Sequence, residues 1–155
     1  MTDYGGKFDR FVKIVRELRS ENGCPWDKEQ SPASLKRYLM EETREAIEAI
    51  TSKNYAHTRD ELGDILYVIV LLAQIHDETD LFNMGDVIDA ISDKMIRRHP
   101  HVFNDEKIET VAELRKKWLE IKKMEKTSSN SPKKNWQFFK YHVNDPIRLK
   151  TLNIL

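Results

Sequence analysis

Hydrophobic residues recur every three or four positions along most of the first 126 residues, which is the spacing of amphipathic α-helices. The first apolar stripe predicts a helix over residues 7–20. Its members are Phe8, Phe11, Val12, Val15 and Leu18. Residues 23–27 read Gly-Cys-Pro-Trp-Asp, and this composition predicts a loop directly after the helix.

A second helix is predicted to begin after Ser31. Serine is a favourable N-cap, and Pro32 follows at the first helical position, where its missing N–H costs nothing. The apolar pattern continues to about residue 52. The predicted core face consists of Leu35, Leu39, Ala46, Ile47 and Ile50.

The third predicted helix spans residues 55–78, and its middle is almost continuously apolar from residue 65 to residue 73. Taken alone, that run could be a buried strand. Its length with its flanks, and the absence of Gly or Pro within it, favour a helix that is buried on most sides. Because such a helix needs neighbours on several sides, we expect the bundle to dimerise.

Two more helices follow. Asn83 can cap a fourth helix, which should end before Pro100 because the residue preceding a proline avoids the helical conformation. The apolar positions of this helix are Met84, Val87, Ile88, Ile91 and Met95. Thr110 and Glu113 form a capping-box pattern for a fifth helix, which should end near residue 126. The predicted fold is therefore all-α, a bundle of about five helices.

Residues 127–132 read Thr-Ser-Ser-Asn-Ser-Pro, a composition typical of a linker. We therefore divide the chain into a helical domain, residues 1–126, and a C-terminal extension, residues 127–155. The extension has five Lys or Arg against one Asp, and its aromatic residues are Trp136, Phe138, Phe139 and Tyr141. It is either a docked or partly disordered segment, or an arm that contacts a partner or a nucleic acid.

The composition narrows the class of protein. Of 155 residues, 39% are hydrophobic, which is enough for one core, and 34% are charged. High charge with only five Gly and five Pro favours helices over a loop-rich β-sandwich. The 26 basic and 26 acidic residues cancel, so a general nucleic-acid-binding role is not expected.

The sequence also bears on the compartment. Cys24 is the single cysteine, which excludes an intramolecular disulfide and fits a reducing environment. No stretch approaches the roughly 18 apolar residues of a membrane span. The first seven residues lack the basic-then-apolar order of a signal peptide. We therefore expect a cytoplasmic protein with no membrane partner.

Five carboxylates carry the candidate chemistry. Glu41, Glu42 and Glu45 lie along one side of the second predicted helix, and Glu61 and Asp64 are similarly spaced on the third. Antiparallel packing of the two helices would bring four or five anions together, and burying them without a counter-ion is costly. A divalent cation would remove that cost, and all-oxygen ligands favour Mg²⁺ or Mn²⁺. A solvated acidic surface is the alternative.

A cationic group closes the fourth predicted helix. Lys94, Arg97 and Arg98 share one face of it. The helix dipole favours cations at this end, and the same group fits a clamp for a polyphosphate. Trp118 and Lys122, four residues apart, could contact a base and a phosphate. The sequence has neither a G-x-x-x-x-G-K-[ST] loop nor a G-x-G-x-x-G motif, so phosphate chemistry here would depend on a metal and on basic side chains.

The arrangement of these motifs resembles the MazG family of nucleoside triphosphate pyrophosphohydrolases. The family pattern E-E-x-x-E, a spacer and E-x-x-D corresponds to residues 41–45, fifteen intervening residues and residues 61–64. The Gly-Cys-Pro-Trp-Asp segment at 23–27, the basic signature at 94–103 and the Trp-Leu-Glu-Ile-Lys segment at 118–122 are also similar to the family. Four motifs in this order are strongly specific, and the resemblance extends from about residue 8 to residue 126.

The resemblance implies an all-α NTP pyrophosphatase fold that pairs into homodimers or larger assemblies. The implied reaction converts an NTP or dNTP into the monophosphate and pyrophosphate, with a role in clearing nucleotides. The implied ligands of Mg²⁺, or of Mn²⁺ in its place, are Glu42, Glu45, Glu61 and Asp64. The implied nucleotide-binding residues are Lys94, Arg97 and Arg98 for the triphosphate, with Trp118 and Lys122. Glu41 or Glu45 would accept the proton of the attacking water.

Three alternatives remain at the level of sequence. One is a relative of narrower specificity, such as a dUTP or dCTP pyrophosphatase or a phosphoribosyl-ATP pyrophosphohydrolase, against which the Arg-Arg-His-Pro-His-Val-Phe signature argues. The second is a helical interaction protein without activity. The third, a di-iron bundle, would require Glu-x-x-His pairs, and the acidic motifs contain none.

Overall fold

The computed structural model describes residues 2–104 and 107–128, and every regular element in them is an α-helix. The helices are α1 (Tyr4–Leu18), α2 (Pro25–Glu29), α3 (Pro32–Thr51), α4 (Tyr55–Asp77), α5 (Met84–Arg98), α6 (Pro100–Phe103) and α7 (Val111–Ser128). The prediction of an all-α fold is confirmed. None of the helices among the described residues is both long and apolar enough to cross a membrane.

The five long helices match the five predicted ones, whereas α2 and α6 lie in stretches that the sequence did not predict as helical. Each short helix begins with a proline, Pro25 or Pro100. Proline breaks a helix in its interior, but its fixed φ suits the first helical position. The prolines that interrupt the helical pattern of the sequence therefore also begin a new, short helix.

Local capping fixes where the long helices begin. The Ser31 hydroxyl accepts a hydrogen bond from the Ser34 amide at 3.2 Å, and the Ser34 hydroxyl accepts one from the Ser31 amide at 3.0 Å. The Asn83 side chain accepts from the Gly85 amide at 2.7 Å at the start of α5. The Thr110 hydroxyl accepts from the Glu113 amide at 3.2 Å before α7. These contacts satisfy amides that a helix leaves unpaired at its N-terminus.

The chain forms two units, Met1–Ser92 and Asp93–Leu155. In the first unit, α4 packs against both α3 and α1. The hydrophobic core of this unit consists of Val15, Leu35, Val68, Val70 and Leu71, with Phe8, Phe11, Val12 and Leu39 partly buried around it. The described part of the second unit contains the end of α5, then α6 and α7.

The predicted core face of α3 is wrong at two positions. Ile47 and Ile50 are 58% and 57% exposed in the unit. Leu35 and Ala46 are buried as predicted, and Ala49 is buried beside them in place of the two isoleucines. Because successive residues of a helix are rotated by about 100°, a choice of the face containing residues 46 and 49 leaves residues 47 and 50 outside.

Most of the predicted C-terminal extension lies outside the part of the chain that the structure describes. The boundary predicted at residue 126 falls within α7, which is described to Ser128. The rest of the extension, residues 129–155, lies outside the described residues. The division therefore stays a prediction.

Candidate functional site

Three carboxylates from two helices converge in the first unit. Glu42 and Glu45 project from α3, and Glu61 projects from α4. Each of the three offers one oxygen within 4.8 Å of the others. Positions 42 and 45 are one helical turn apart, so the packing of α3 against α4 is what adds the third carboxylate.

Glu61 is the most buried member of this group, with 5% of its surface exposed. Its Oε1 lies 3.0 Å from Nδ1 of His57, one turn earlier on α4, which is within the distance of an ion pair. Its Oε2 is buried and has no hydrogen-bond partner among the described residues. A buried oxygen without a partner is rare and energetically costly, and a bound cation would satisfy it.

The raised pKa of Glu42 is also consistent with a cation site. Burial raises the pKa of Glu42, and the negative charges of Asp64, Glu45 and Glu61 raise it further. The carboxyl of Glu42 is therefore harder to ionise than usual, and a divalent cation would relieve the repulsion. An all-carboxylate donor set suits a hard cation such as Mg²⁺ or Mn²⁺ rather than zinc. The residues present fit such an ion.

The other two predicted carboxylates lie outside the group of three. Asp64 is exposed, yet its charge is the largest electrostatic contribution to the raised pKa of Glu42, so it lies at the edge of the same acidic group. Glu41 is exposed as well, and its Oε1 is 3.8 Å from Nε of Arg37, one turn earlier on α3.

The predicted phosphate-binding residues lie in the second unit, where the carboxylate of Glu125 accepts hydrogen bonds from two of them, Arg97 and Arg98. Nε of Arg97 donates to Oε1 of Glu125 at 2.9 Å. Nε and Nη2 of Arg98 donate to Oε2 of the same residue at 3.1 Å and 2.6 Å. These contacts lower the pKa of Glu125, the hydrogen bond from Arg98 most strongly. Lys94, one turn before Arg98 on α5, is half-buried.

Trp118 on α7 has cations over its ring. Nζ of Lys122 lies 3.8 Å from the ring centroid, and Cζ of Arg98 lies 5.7 Å from it. Such contacts contribute about 0.5–1 kcal/mol each at exposed sites. The structure thus brings Arg98, Trp118 and Lys122 into one cluster within the second unit.

The sequence analysis missed two residues of these clusters. His57 contacts Glu61 from four residues away on the same helix, and Glu125 stands seven residues after Trp118, on the same face of α7. Helical spacing could have suggested both positions. Only the three-dimensional structure shows that Glu125 contacts Arg97 and Arg98.

Comparison with known proteins agrees with the geometry. The MazG nucleotide pyrophosphohydrolase domain family matches residues 30–103. The chain is 45% identical over 121 residues to a nucleoside triphosphate pyrophosphohydrolase of Escherichia coli, a match that covers 77% of this chain and 46% of that protein. It is 48% identical over 125 residues to the uncharacterized protein YabN of Bacillus subtilis, covering 81% of this chain and 26% of that protein. The chain therefore spans less than two thirds of these relatives.

A solved structure matches over almost its full length. The crystal structure of a mazG-related protein from Thermotoga maritima aligns with a TM-score of 0.63 and 32% sequence identity, over 74% of this chain and 98% of that one. The family match covers the three carboxylates of α3 and α4 and the basic end of α5. The chain belongs to the MazG nucleotide pyrophosphohydrolase family.

Proposed function

We propose that this chain hydrolyses nucleoside triphosphates, of the ribo or deoxyribo series, to the monophosphate and pyrophosphate with the help of Mg²⁺, for which Mn²⁺ can substitute. The observation that carries the proposal is the buried Oε2 of Glu61, which has no donor among the described residues and lies in a group with Glu42 and Glu45. The Escherichia coli relative is named a nucleoside triphosphate pyrophosphohydrolase, which supports the same activity.

The carboxylates have distinct roles in this proposal. Glu42, Glu45 and Glu61 hold the cation, and His57 fixes the orientation of Glu61 through Oε1. Asp64, whose charge acts on Glu42, completes the acidic set. When bound, the cation lowers the pKa of a coordinated water and shields the charge of the phosphates.

The proton of the attacking water needs a carboxylate to accept it, and the sequence predicts Glu41 or Glu45 for this role. Glu45 belongs to the group of three, where a bound cation would lower its basicity. Glu41 lies outside that group, so it would not be used as a ligand of the cation, and its side chain lies beside Arg37. We therefore favour Glu41 as the proton acceptor.

The cationic residues bind the substrate in this proposal. Lys94, Arg97 and Arg98 contact the phosphates, because guanidinium groups bind phosphate oxygens in a bidentate manner. Their positive charge also stabilises the pyrophosphate as it leaves. Trp118 offers an aromatic ring, and Lys122 a charge, to the nucleotide.

A panel of NTPs and dNTPs, assayed for monophosphate and pyrophosphate with Mg²⁺, with Mn²⁺ and with EDTA, tests this function. We expect both products in equal amounts, only with metal, and loss of both in Glu42→Gln and Asp64→Asn. A folded chain that releases neither product from any nucleotide with either metal would contradict the proposal and favour a helical interaction protein. The spread across the panel separates a broad enzyme from one restricted to a single base.

We also propose a homodimer or larger homo-oligomer. Large apolar side chains of the central helices are exposed in the first unit, and these are Met40, Ile47, Ile50, Leu62 and Leu66. A second copy of the chain would cover them. Sedimentation of the full chain should therefore give a multiple of 18.3 kDa, and Ile47→Glu should shift it toward the monomer. A wild-type chain that sediments as a monomer would contradict this.

We propose in addition that the enzyme clears nucleotides from the cellular pool, and that it does so in the cytoplasm.

A further inference from the structure

Arg97 and Arg98 are consecutive residues of α5, yet their guanidinium groups meet at one carboxylate. Consecutive residues of a helix point about 100° apart, and neighbours in sequence do not face each other on its surface. Two guanidinium groups also repel one another. Their convergence therefore requires an anion, and Glu125 from α7 supplies it.

The contact uses only one edge of each guanidinium. Glu125 Oε1 lies 2.9 Å from Nε and 2.8 Å from Nη2 of Arg97. Glu125 Oε2 lies 3.1 Å from Nε and 2.6 Å from Nη2 of Arg98. A guanidinium has five N–H donors in a planar fork, so each arginine keeps the N–H groups of its Nη1 side outside this contact. That side is suited to bidentate binding of a phosphate.

The charge balance leaves the cluster attractive to anions. Glu125 contributes one negative charge against two guanidinium groups, and Lys122 adds a further positive charge over the Trp118 ring. The side chains of Glu125 and Arg98 are 20% and 17% exposed. Water therefore screens their pairing less than it would a surface ion pair.

From this geometry we propose that Glu125 is a positioning residue, which holds Arg97 and Arg98 together as a paired binding site for the phosphate chain of the nucleotide. The inference rests on the proposed function for the chemical class of the ligand. Glu125 itself contacts no phosphate. It acts by fixing the two guanidinium planes, so that little side-chain entropy is lost when the phosphates bind.

The structure also defines the opposite possibility, in which Glu125 competes with phosphate for the arginines. The two roles predict opposite changes in phosphate affinity when Glu125 is removed. Removal of a positioning residue weakens phosphate binding, whereas removal of a competitor strengthens it. Because Glu125 takes the Nε side of both guanidinium groups and leaves the Nη1 sides outside the contact, the geometry favours positioning.

Calorimetric titration of the full chain with inorganic tripolyphosphate tests the inference directly. We expect Glu125→Gln to weaken binding by about tenfold, since the amide NH₂ faces two donors and no longer spans both arginines. Glu120→Gln is the matched control, because it removes the same charge from an exposed position of α7. The control should bind within about twofold of wild type.

A double-mutant cycle separates positioning from a general effect on the fold. In an Arg97→Ala/Arg98→Ala background, Glu125→Gln should change the tripolyphosphate affinity by less than about twofold, because nothing remains for it to position. Glu125→Asp keeps the charge but is one methylene shorter. It should preserve folding, checked by circular dichroism, and give an intermediate loss of affinity even where the Gln variant unfolds.

Kinetics with the most rapidly hydrolysed nucleotide of the panel add a second readout. We expect Glu125→Gln to raise KM by about tenfold with kcat within about threefold, because phosphate contacts are made before the reaction as well as during it. A purely structural role would lower the active fraction, and so kcat, with KM unchanged.

Several outcomes would overturn the inference. These are tighter binding in Glu125→Gln, an equal loss in Glu120→Gln, an undiminished effect of Glu125→Gln without the arginines, and no tripolyphosphate binding by wild type. A chain that hydrolyses nucleotides while Glu125→Gln and Glu125→Asp bind normally would retain the proposed function alone. A chain that hydrolyses none, but binds tripolyphosphate more weakly in Glu125→Gln than in wild type, would retain the inference alone.

Discussion

Asp27 and Glu61 are both nearly covered, at 4% and 5% exposure, but their surroundings differ. Asp27 on α2 accepts a hydrogen bond from the hydroxyl of Tyr67, and the guanidinium of Arg19 donates to the backbone oxygen of Asp27. Glu61 on α4 has an oxygen without a partner in the described part of the chain, and the carboxylates of Glu42 and Glu45 lie beside it.

The difference separates a carboxylate that is hydrogen-bonded within the fold from one with a buried oxygen that no described residue satisfies. Burial and the hydrogen bond to Asp27 raise the pKa of Tyr67, so its hydroxyl remains protonated and continues to donate. The polar groups around Asp27 thus satisfy one another. Around Glu61 the neighbouring carboxylates of Glu42 and Glu45 carry the same charge, and their repulsion is a free-energy cost that a bound cation would remove.

The largest expected effect tests the functional side of this comparison. Glu61→Gln should lower kcat/KM by about 10³-fold, because it removes a ligand of a cation that stabilises several kcal/mol of developing charge. Its stability to urea in metal-free buffer should be unchanged or higher, since a buried negative charge beside two other carboxylates is gone. Glu48→Gln, an exposed position on α3 that pairs with Arg44, is the control and should retain activity. Full activity in Glu61→Gln would remove Glu61 from the site.

The effect of a metal on the free energy of unfolding also distinguishes Asp27 from Glu61. A cation at 100 times its Kd should raise the free energy of unfolding by about 2.7 kcal/mol. Asp27→Asn should retain this increment, whereas Glu61→Gln should lose it. Urea titrations with and without Mg²⁺ measure both. An increment that survives in Glu61→Gln would place the cation elsewhere.

The structural side of the comparison predicts a loss of stability. Asp27→Asn should lower the free energy of unfolding by about 2 kcal/mol, because a buried hydrogen bond to a charged group is weakened. The activity of the folded fraction should stay close to wild type. Asp9→Asn, which removes an exposed charge paired with Lys13, should cost less than about 0.5 kcal/mol. Equal costs for the two variants would show that Asp27 has no special role.

The smallest effect concerns the ion pair beside Asp27. Nε and Nη2 of Arg19 each donate to Glu78 at 2.6 Å, and this bonding lowers the pKa of Glu78. A lowered pKa in the folded state means that the stabilisation is present above the unfolded value, about pH 4, and is lost as the pH falls through the folded value. Glu78→Gln should therefore cost about 1 kcal/mol at pH 7 and progressively less toward pH 3. Urea unfolding at several pH values measures this, and a cost that does not change with pH would contradict it.

Much of the fold was predictable because its signals are local. The caps at Ser31, Asn83 and Thr110 lie within three or four residues of the amides that they satisfy. The outward positions of Ile47 and Ile50 were not predictable in the same way. Periodicity places apolar residues on a helix, but the partner helix decides which of two adjacent faces is buried.

The candidate sites were also predictable only in part. Helical spacing predicted that Glu42 and Glu45 share a side of α3, and that Arg97 and Arg98 close α5. The partners that give these residues their chemistry are distant in sequence or on another helix. Glu125 follows Arg97 by 28 residues and Arg98 by 27.

The sequence by itself determined the all-α class, the long helices, the order of the family motifs and the types of charge at each cluster. These depend on residue identity and on spacings of three to four residues, which a helix converts directly into neighbours. The tertiary structure decided that Glu42, Glu45 and Glu61 form the close group, that Asp27 is satisfied by Tyr67, and that one carboxylate pairs two arginines. The physical reason is that burial and long-range pairing arise only when helices pack, and packing selects among faces that the sequence leaves equivalent.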